Sequence, residues 1–361
     1  MTEYAYIHIP FCKSKCNYCS FTSFTDDSLM TPYVYSLLKE IETNYENESL
    51  KTLYIGGGTP SILPLNLLEK IIKKFRFSDN PEITIEANPC EITEDYLNSL
   101  YNLGINRLSI GIQTFNDDIL KIIGRRHNSK QALTALKLIK NSKIKNFSAD
   151  LIYGLPSQTE EIFKTDLKTL LEFLPNHISL YGLKIEESCY FFKNPPKNLP
   201  DDDFQADLYL YAVKELEQNG YEHYEISNFS KSGYSSRHNL NYWNNGSYYG
   251  FGVSAHGYSD GIRYNNTSEL QKYIDSPTMH EYGKELNTEE KLQEEIFLGF
   301  RKREGISVSA INEKFSIDFE NKYSKPLEKY SESGFIEKIN GRYKLTLNGV
   351  LLSNIILSDF M

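Results

Sequence analysis

The chain has 361 residues, 40% of them hydrophobic and 24% charged, which excludes a disordered or fibrous polymer and allows one large domain or a large domain with a small one. No apolar run reaches the roughly 18 residues that span a bilayer, and MTEYAYIHIP lacks the basic-then-apolar pattern of a secretory signal, so the chain reads as cytoplasmic and not itself transmembrane. A net charge of −9 spread along the chain gives no surface for nucleic acid, and five cysteines, three of them clustered, do not make an extracellular disulfide framework.

The first half alternates β-branched runs with helical patterns. YAYIHI (4–9) reads as a strand, and Val34, Leu37, Leu38 and Ile41 set a helix over about 31–46. TLYIGG (52–57) is a strand ending in glycines, Leu65 to Phe75 is helical, and EITIEANP (82–89) is a strand. Thr93 caps a helix through Leu103. A strand over 105–114 precedes helices near 116–123 and 129–141. Strands at 146–156 and 177–186 precede helices near 159–173 and 203–219.

Six β–α units imply a parallel sheet, because parallel strands need crossover connections. Polar and glycine residues recur just after strand ends: Cys12, Gly56 to Thr59, Glu86 to Pro89, Gln113 and Asp150. Those are the positions where α/β barrels place chemistry, and no G-x-G-x-x-G of an open nucleotide-binding sheet occurs. The expected fold class is α/β: a partial (β/α)6 barrel over residues 1–220, an irregular Tyr-, Asn-, Ser- and Gly-rich extension over 221–287, and a small α+β module over 288–361. That module reads as a helix (288–303), a short helix opened by Ser307 or Ser309, a third helix (320–333), and a hairpin turning at Asn340-Gly341. Its order is winged-helix-like, but no basic cluster marks a recognition helix, so a docking or structural role is expected.

FCKSKCNYCSF (11–21) spaces Cys12, Cys16 and Cys19 as C-x3-C-x2-C. Thiolates are soft ligands, and three from one polar loop suit a 4Fe–4S cluster with one iron left open. A structural zinc would need a fourth ligand, for which His8 is nearby in sequence. Cys90 and Cys189 read as small buried hydrophobes. Tyr6 and Tyr18 flank the loop and are candidates to pack on a cofactor.

The cysteine loop, entered by YIHIPFC and closed by CNYCSF, resembles the radical S-adenosylmethionine superfamily, and within it the oxygen-independent coproporphyrinogen III oxidase group. The landmarks GGGTP (56–60), IEANP (85–89), SIGIQTFN (109–116), GRRH (124–127) and DLIYGLP (150–156) follow in order, so the resemblance covers nearly the whole chain. It implies that S-adenosylmethionine chelates the open iron and is cleaved by an electron from the cluster, giving methionine and a 5′-deoxyadenosyl radical. It also implies that Gly57, Gly58 and Thr59 meet the methionine end, that Glu86 accepts from an ammonium or hydroxyl, and that Gln113, Arg125 and Asp150 stand at the cofactor or substrate.

Three features separate the chain from the oxidases proper. Phe21 stands where they have a further cysteine, the first strand starts at residue 4 without their longer leading segment, and HNLNYW (238–243) carries the only tryptophan. HNxxYW is the mark of the haem chaperone branch of that group. The resemblance then implies no coproporphyrinogen oxidase activity, no assigned catalytic residue, and haem as a ligand delivered to acceptor proteins, membrane-associated ones included. It further implies an electron donor such as a flavodoxin or ferredoxin. Imidazole is a common axial ligand of haem iron, which makes His238 the candidate beside Tyr242 and Trp243, with His256 and His223 behind it. The alternative is a radical enzyme acting on a porphyrinogen.

Overall fold

The computed structural model describes residues 1–361. In chain order the first elements are β1 (Tyr4–Ile9), α1 (Met30–Asn44), β2 (Ser49–Gly57), α2 (Leu65–Ile72), β3 (Arg76–Ala87), α3 (Glu94–Asn102), β4 (Arg107–Gln113), α4 (Asp117–Ile122), α5 (Ser129–Asn141), β5 (Asn146–Tyr153), α6 (Glu160–Leu171), β6 (His177–Gly182), α7 (Tyr190–Lys193) and α8 (Asp202–Gln218). There follow β7 (Glu222–Glu225), β8 (Asn228–Ser230), α9 (Arg237–Trp243), β9 (Tyr249–Phe251), β10 (His256–Ser259), β11 (Ile262–Asn266), α10 (Leu270–Asp275) and β12 (His280–Glu285). The chain ends with α11 (Thr288–Gly299), β13 (Ile306–Ser307), α12 (Val308–Phe315), α13 (Phe319–Lys322), α14 (Ser324–Glu332), β14 (Ile336–Ile339), β15 (Arg342–Leu345), α15 (Leu347–Leu351) and α16 (Ser353–Ser358).

These elements form two compact units: Met1–Ala212 with Ser247–Lys284, and Val213–Gly246 with Glu285–Met361. Of the expected extension over 221–287, residues 247–284 fall in the first unit and the remainder in the second.

In the first unit β6, β5, β4, β3, β2 and β1 lie side by side in that order, all parallel, and β9 adds to the outer edge of β1, also parallel. The sheet is α/β and does not close on itself, as a partial barrel requires. Through the middle of its strands apolar and polar residues alternate. Ile7, Leu53, Ile55, Ile83, Ile85, Leu108, Ile110, Ala149, Leu151, Ile178 and Leu180 are buried on the face that takes the apolar stripes of the helices.

The alternate positions are polar and fall into cross-strand rows. Tyr6, Tyr54, Thr84, Arg107 and Asn146 are in register, then Glu86, Ser109, Ser148 and His177, then Gly111, Asp150 and Ser179. A sheet whose second face were core would carry aliphatics there. This one carries hydroxyls, carboxyls and a guanidinium, which is what positions a site.

Local signals hold at the caps. Thr93 accepts from Tyr96 N at the start of α3, and Asn128 with Gln131 closes a capping box on α5. β3 begins at Arg76, well before the expected residue 82, extending a polar stretch along β2.

In the second unit β7 and β8 form an antiparallel pair, and β13, β15 and β14 form a three-stranded antiparallel sheet beside α11 to α14. Asn340 (φ 50°) and Gly341 (φ 75°) turn the β14–β15 hairpin, as two left-handed residues must. The expected helix 288–303 stops at Gly299, because Arg301 and Arg303 join β7 through Ile226 N to Arg301 O and Arg303 N to Tyr224 O. The expected third helix is two, α13 and α14, broken at Tyr323 (φ −108°, ψ 24°).

Candidate functional site

The cysteine loop leaves β1 through Pro10 and Phe11 and is pinned at its base. Phe24 N donates to Pro10 O at 2.7 Å and Cys12 N to Phe24 O at 2.9 Å. Across the sheet, Gly58 N donates to Ile9 O and Thr59 N to Phe11 O, each at 2.8 Å, so the β2 loop runs against the start of the cysteine loop. On the far side Asn17 N reaches Ile123 O and Phe191 N reaches Asn17 O.

None of the five cysteines is in a disulfide. Thr59 Oγ1 donates to Cys12 Sγ at 3.4 Å and Arg125 Nη1 to Cys16 Sγ at 3.6 Å. Burial pushes the Cys12 thiol up, and pushes Cys19 up to about 11. No three His, Cys, Asp or Glu side chains converge to hold a single metal ion. His8 offers no fourth ligand to a zinc: its Nδ1 is engaged by Tyr6 Oη and its Nε2 by Thr22 O, both at 2.9 Å. A 4Fe–4S cluster would place no such demand, since Cys12, Cys16 and Cys19 would each hold a different iron.

The remaining sequence-derived residues of the first unit gather at the same strand ends. Gly57 has φ +118°, and a Cβ there would meet the His8 ring at 2.9 Å. A Cβ on Gly58 would stand 2.8 Å from Phe11 O and 3.0 Å from Cys12 Sγ, so only glycine allows the two loops to touch. Glu86 accepts from Tyr54 Oη at 2.8 Å and Gly57 N at 3.1 Å. Burial first, then the Asp150 charge, lifts its carboxyl to about 7.

Gln113 sits at φ 69° on a bulge of β4, and its buried Oε1 has no partner. Arg125 bonds Gly111 O at 2.7 Å and the Asn88 side chain, with Tyr18 beside it and its Nε unpartnered. Asp150 accepts from Ser109 Oγ at 3.2 Å; burial raises its carboxyl, while Ser179, Ser109 and Arg107 oppose that rise. A strained backbone and two orphaned polar atoms at one strand-end cluster are what a polar ligand would complete. The residues thus fit a cluster with a polar, amine- and hydroxyl-bearing cofactor beside it.

Sequence reasoning missed Tyr54, Asn88 and Arg107. Tyr54 and Asn88 lie within or beside landmarks already noted, and the polar alternation of the strands was the signal for Arg107, which is only 2% exposed. Cys189 is buried beside Ile119, Leu155 and Phe191, whereas Cys90 is half-buried near Glu91 and Arg126, less enclosed than expected.

His238 belongs to the second unit and is not among the strand-end residues. It lies in α9, capped by Ser236, and is 1% exposed, with its Nε2 2.8 Å from Tyr242 Oη. His223 is stacked on Phe229, and His256 is exposed at the start of β10.

An open parallel β/α sheet with three loop thiols at its strand ends defines a protein of the radical SAM class. Residues 6–170 match the Radical SAM superfamily and residues 286–352 the HemN C-terminal domain. The chain is 37% identical to the heme chaperone HemW of Lactococcus lactis, over 99% of this chain and 97% of that protein. It is 36% identical to the heme chaperone HemW of Bacillus subtilis, over 99% and 98%. The fold is that of the solved coproporphyrinogen III oxidase HemN of Escherichia coli, with a TM-score of 0.87 and 23% identity, covering 99% of this chain and 89% of that one. The chain belongs to the HemW family of the radical SAM superfamily. That superfamily implies a 4Fe–4S cluster and S-adenosylmethionine. No helix is long and apolar enough to cross a membrane.

Proposed function

We propose that the protein holds a 4Fe–4S cluster on Cys12, Cys16 and Cys19, binds S-adenosylmethionine at the open iron, and carries haem to acceptor proteins. The observation that carries the cofactor part is the set of open valences at the strand ends: three thiols, Gln113 Oε1 and Arg125 Nε. Gly57, Gly58 and Thr59 leave room for the methionine end, Glu86 accepts from its amino group or from a hydroxyl, and Tyr6, Tyr18, Gln113, Arg125 and Asp150 enclose the rest. When bound, the reduced cluster supplies the electron for cleaving the sulfonium.

The haem part is supported by the names of the full-length relatives and by HNLNYW, with His238 as the candidate axial ligand. Haem-acceptor proteins and an electron donor of flavodoxin or ferredoxin type are the partners this reading needs. Phe21, 66% exposed two positions after Cys19, supplies no further thiol. The second reading, a radical enzyme acting on coproporphyrinogen III, is favoured only by the likeness of fold to HemN, which does not carry an activity.

Anaerobic reconstitution followed by separate haem titration and coproporphyrinogen decarboxylation assays decides between them. Four irons, haem binding and no turnover support the first reading. Catalytic conversion of coproporphyrinogen III to protoporphyrinogen IX replaces it with the second.

A further inference from the structure

Within the second unit, α9 ends on Trp243, α11 presents Phe297, and Arg301 follows α11 where the chain pairs with β7. The backbone there is fixed by Ile226 N to Arg301 O and Arg303 N to Tyr224 O, each at 3.1 Å, with Glu225 and Lys302 as the bridge between them. The Arg301 guanidinium lies over the Trp243 ring at 5.0 Å and over the Phe297 ring at 5.5 Å. Such stacking holds the guanidinium plane still and leaves its edge free for a planar acceptor.

No acceptor is supplied by the chain. Arg301 Nε and Trp243 Nε1 are both buried donors without a partner, side by side in one cluster. The Arg301 side chain forms no ion pair. Glu225, the carboxylate whose charge acts on it, already accepts from Asn228 Nδ2 and from Ser227 N at 3.2 Å, and burial lifts that carboxyl to about 7. A half-buried guanidinium with its fork open and its own acid turned elsewhere is a carboxylate receptor. The rings around it are the surface that a flat aromatic ligand covers.

We propose that Arg301, stacked on Trp243 and Phe297, is the anchor for a carboxylate of a planar tetrapyrrole. This rests on the reading that the protein binds haem, and it names the propionate edge as the part recognised. Arg301 takes the carboxylate bidentately through its terminal nitrogens, and Trp243 packs along the macrocycle.

The test is titration of the full chain with haem and with haem dimethyl ester, which keeps the ring and iron but has no carboxylate. Wild type should prefer haem over the ester by about ten- to a hundredfold, the worth of a charge-assisted pair. Arg301→Gln should abolish the preference by weakening haem while leaving ester affinity unchanged. Arg301→Lys, which keeps the charge and loses the fork, should retain part of it and serves if the glutamine variant misfolds by circular dichroism. Equal preference in wild type and both variants overturns the anchor while leaving haem binding intact. Wild type that binds neither compound overturns the haem reading itself.

Discussion

His238 Nε2 stands 2.8 Å from Tyr242 Oη, with the two rings nearly perpendicular at 4.9 Å. The residues are one turn apart on α9, so the contact is built into the helix. An imidazole that is to take haem iron at Nε2 must first release that hydroxyl, at a cost of about one net hydrogen bond, roughly 0.5–1.5 kcal/mol. Tyr242→Phe removes the cost and should tighten haem binding by about two- to tenfold. His238→Ala should weaken it at least about tenfold and shift the Soret band. Spectral titration of both variants checks this, and affinities equal to wild type in both would mean that the axial ligand lies elsewhere.

Replacing Cys12, Cys16 or Cys19 with Ala should each abolish the cluster, since each iron that loses its thiolate has no alternative protein ligand in the loop. Cys90→Ala and Cys189→Ala should retain it, because Cys189 packs against Ile119 and Phe191 and Cys90 lies near Glu91 and Arg126. Iron and sulfide content after anaerobic reconstitution gives the answer, and four irons surviving in Cys16→Ala would sink the assignment.

The Glu86 carboxyl, lifted to about 7 by burial, makes cofactor affinity pH-dependent in a definite direction. An ionised carboxylate accepts from amino N–H groups more strongly than a protonated one, so affinity should fall as pH drops through about 7 and level off above about 8. About tenfold is lost near pH 6. The measurement is S-adenosylmethionine affinity of the cluster-loaded protein across that range. Glu86→Gln should bind more weakly and flatten the profile; a wild-type affinity independent of pH would contradict the role.

Much of the first unit was legible because local and tertiary signals agree there. Buried parallel strands read as aliphatic runs, Thr93 caps α3, and the glycines of GGGTP mark the close approach to Phe11 and Cys12. The extension was opaque for a physical reason. β9 has three residues in a Tyr- and Gly-rich stretch, too short to show a period, and only its pairing with β1 makes it a strand. The polar rows of the sheet were legible residue by residue at Glu86 and Asp150, but not as rows, because register is a tertiary fact. The burial of His238 followed from packing that HNLNYW alone does not encode.

Glu40 is the one carboxylate of the buried face of α1, fully inaccessible between Leu37, Leu38 and Ile41. Its Oε1 accepts from Asn266 Nδ2 at 2.6 Å, and its Oε2 from Gly252 N at 2.8 Å and from the Tyr273 hydroxyl. Asn266 in turn donates to Gly252 O at 2.9 Å, so one carboxylate gathers β11, α10 and the loop after β9 onto α1. Glu40→Ala leaves Gly252 N and the Tyr273 hydroxyl without that acceptor and Asn266 Nδ2 with Gly252 O alone, and should cost about 3–5 kcal/mol, read as a lower urea midpoint. Burial outweighs the three hydrogen bonds and raises the carboxyl from 4.5 to about 7. The folded chain therefore holds a proton that the unfolded chain releases between those values. Glu40 contributes most below about pH 4.5, and that contribution falls by about 3 kcal/mol as pH rises to about 7, then stays level. Glu40→Gln does not titrate, so subtracting its stability from that of wild type cancels the other groups. The difference should decline in favour of Gln from about pH 5 to about pH 8. A difference that stays flat across that range would show that Glu40 is ionised throughout, with its three donors outweighing its burial.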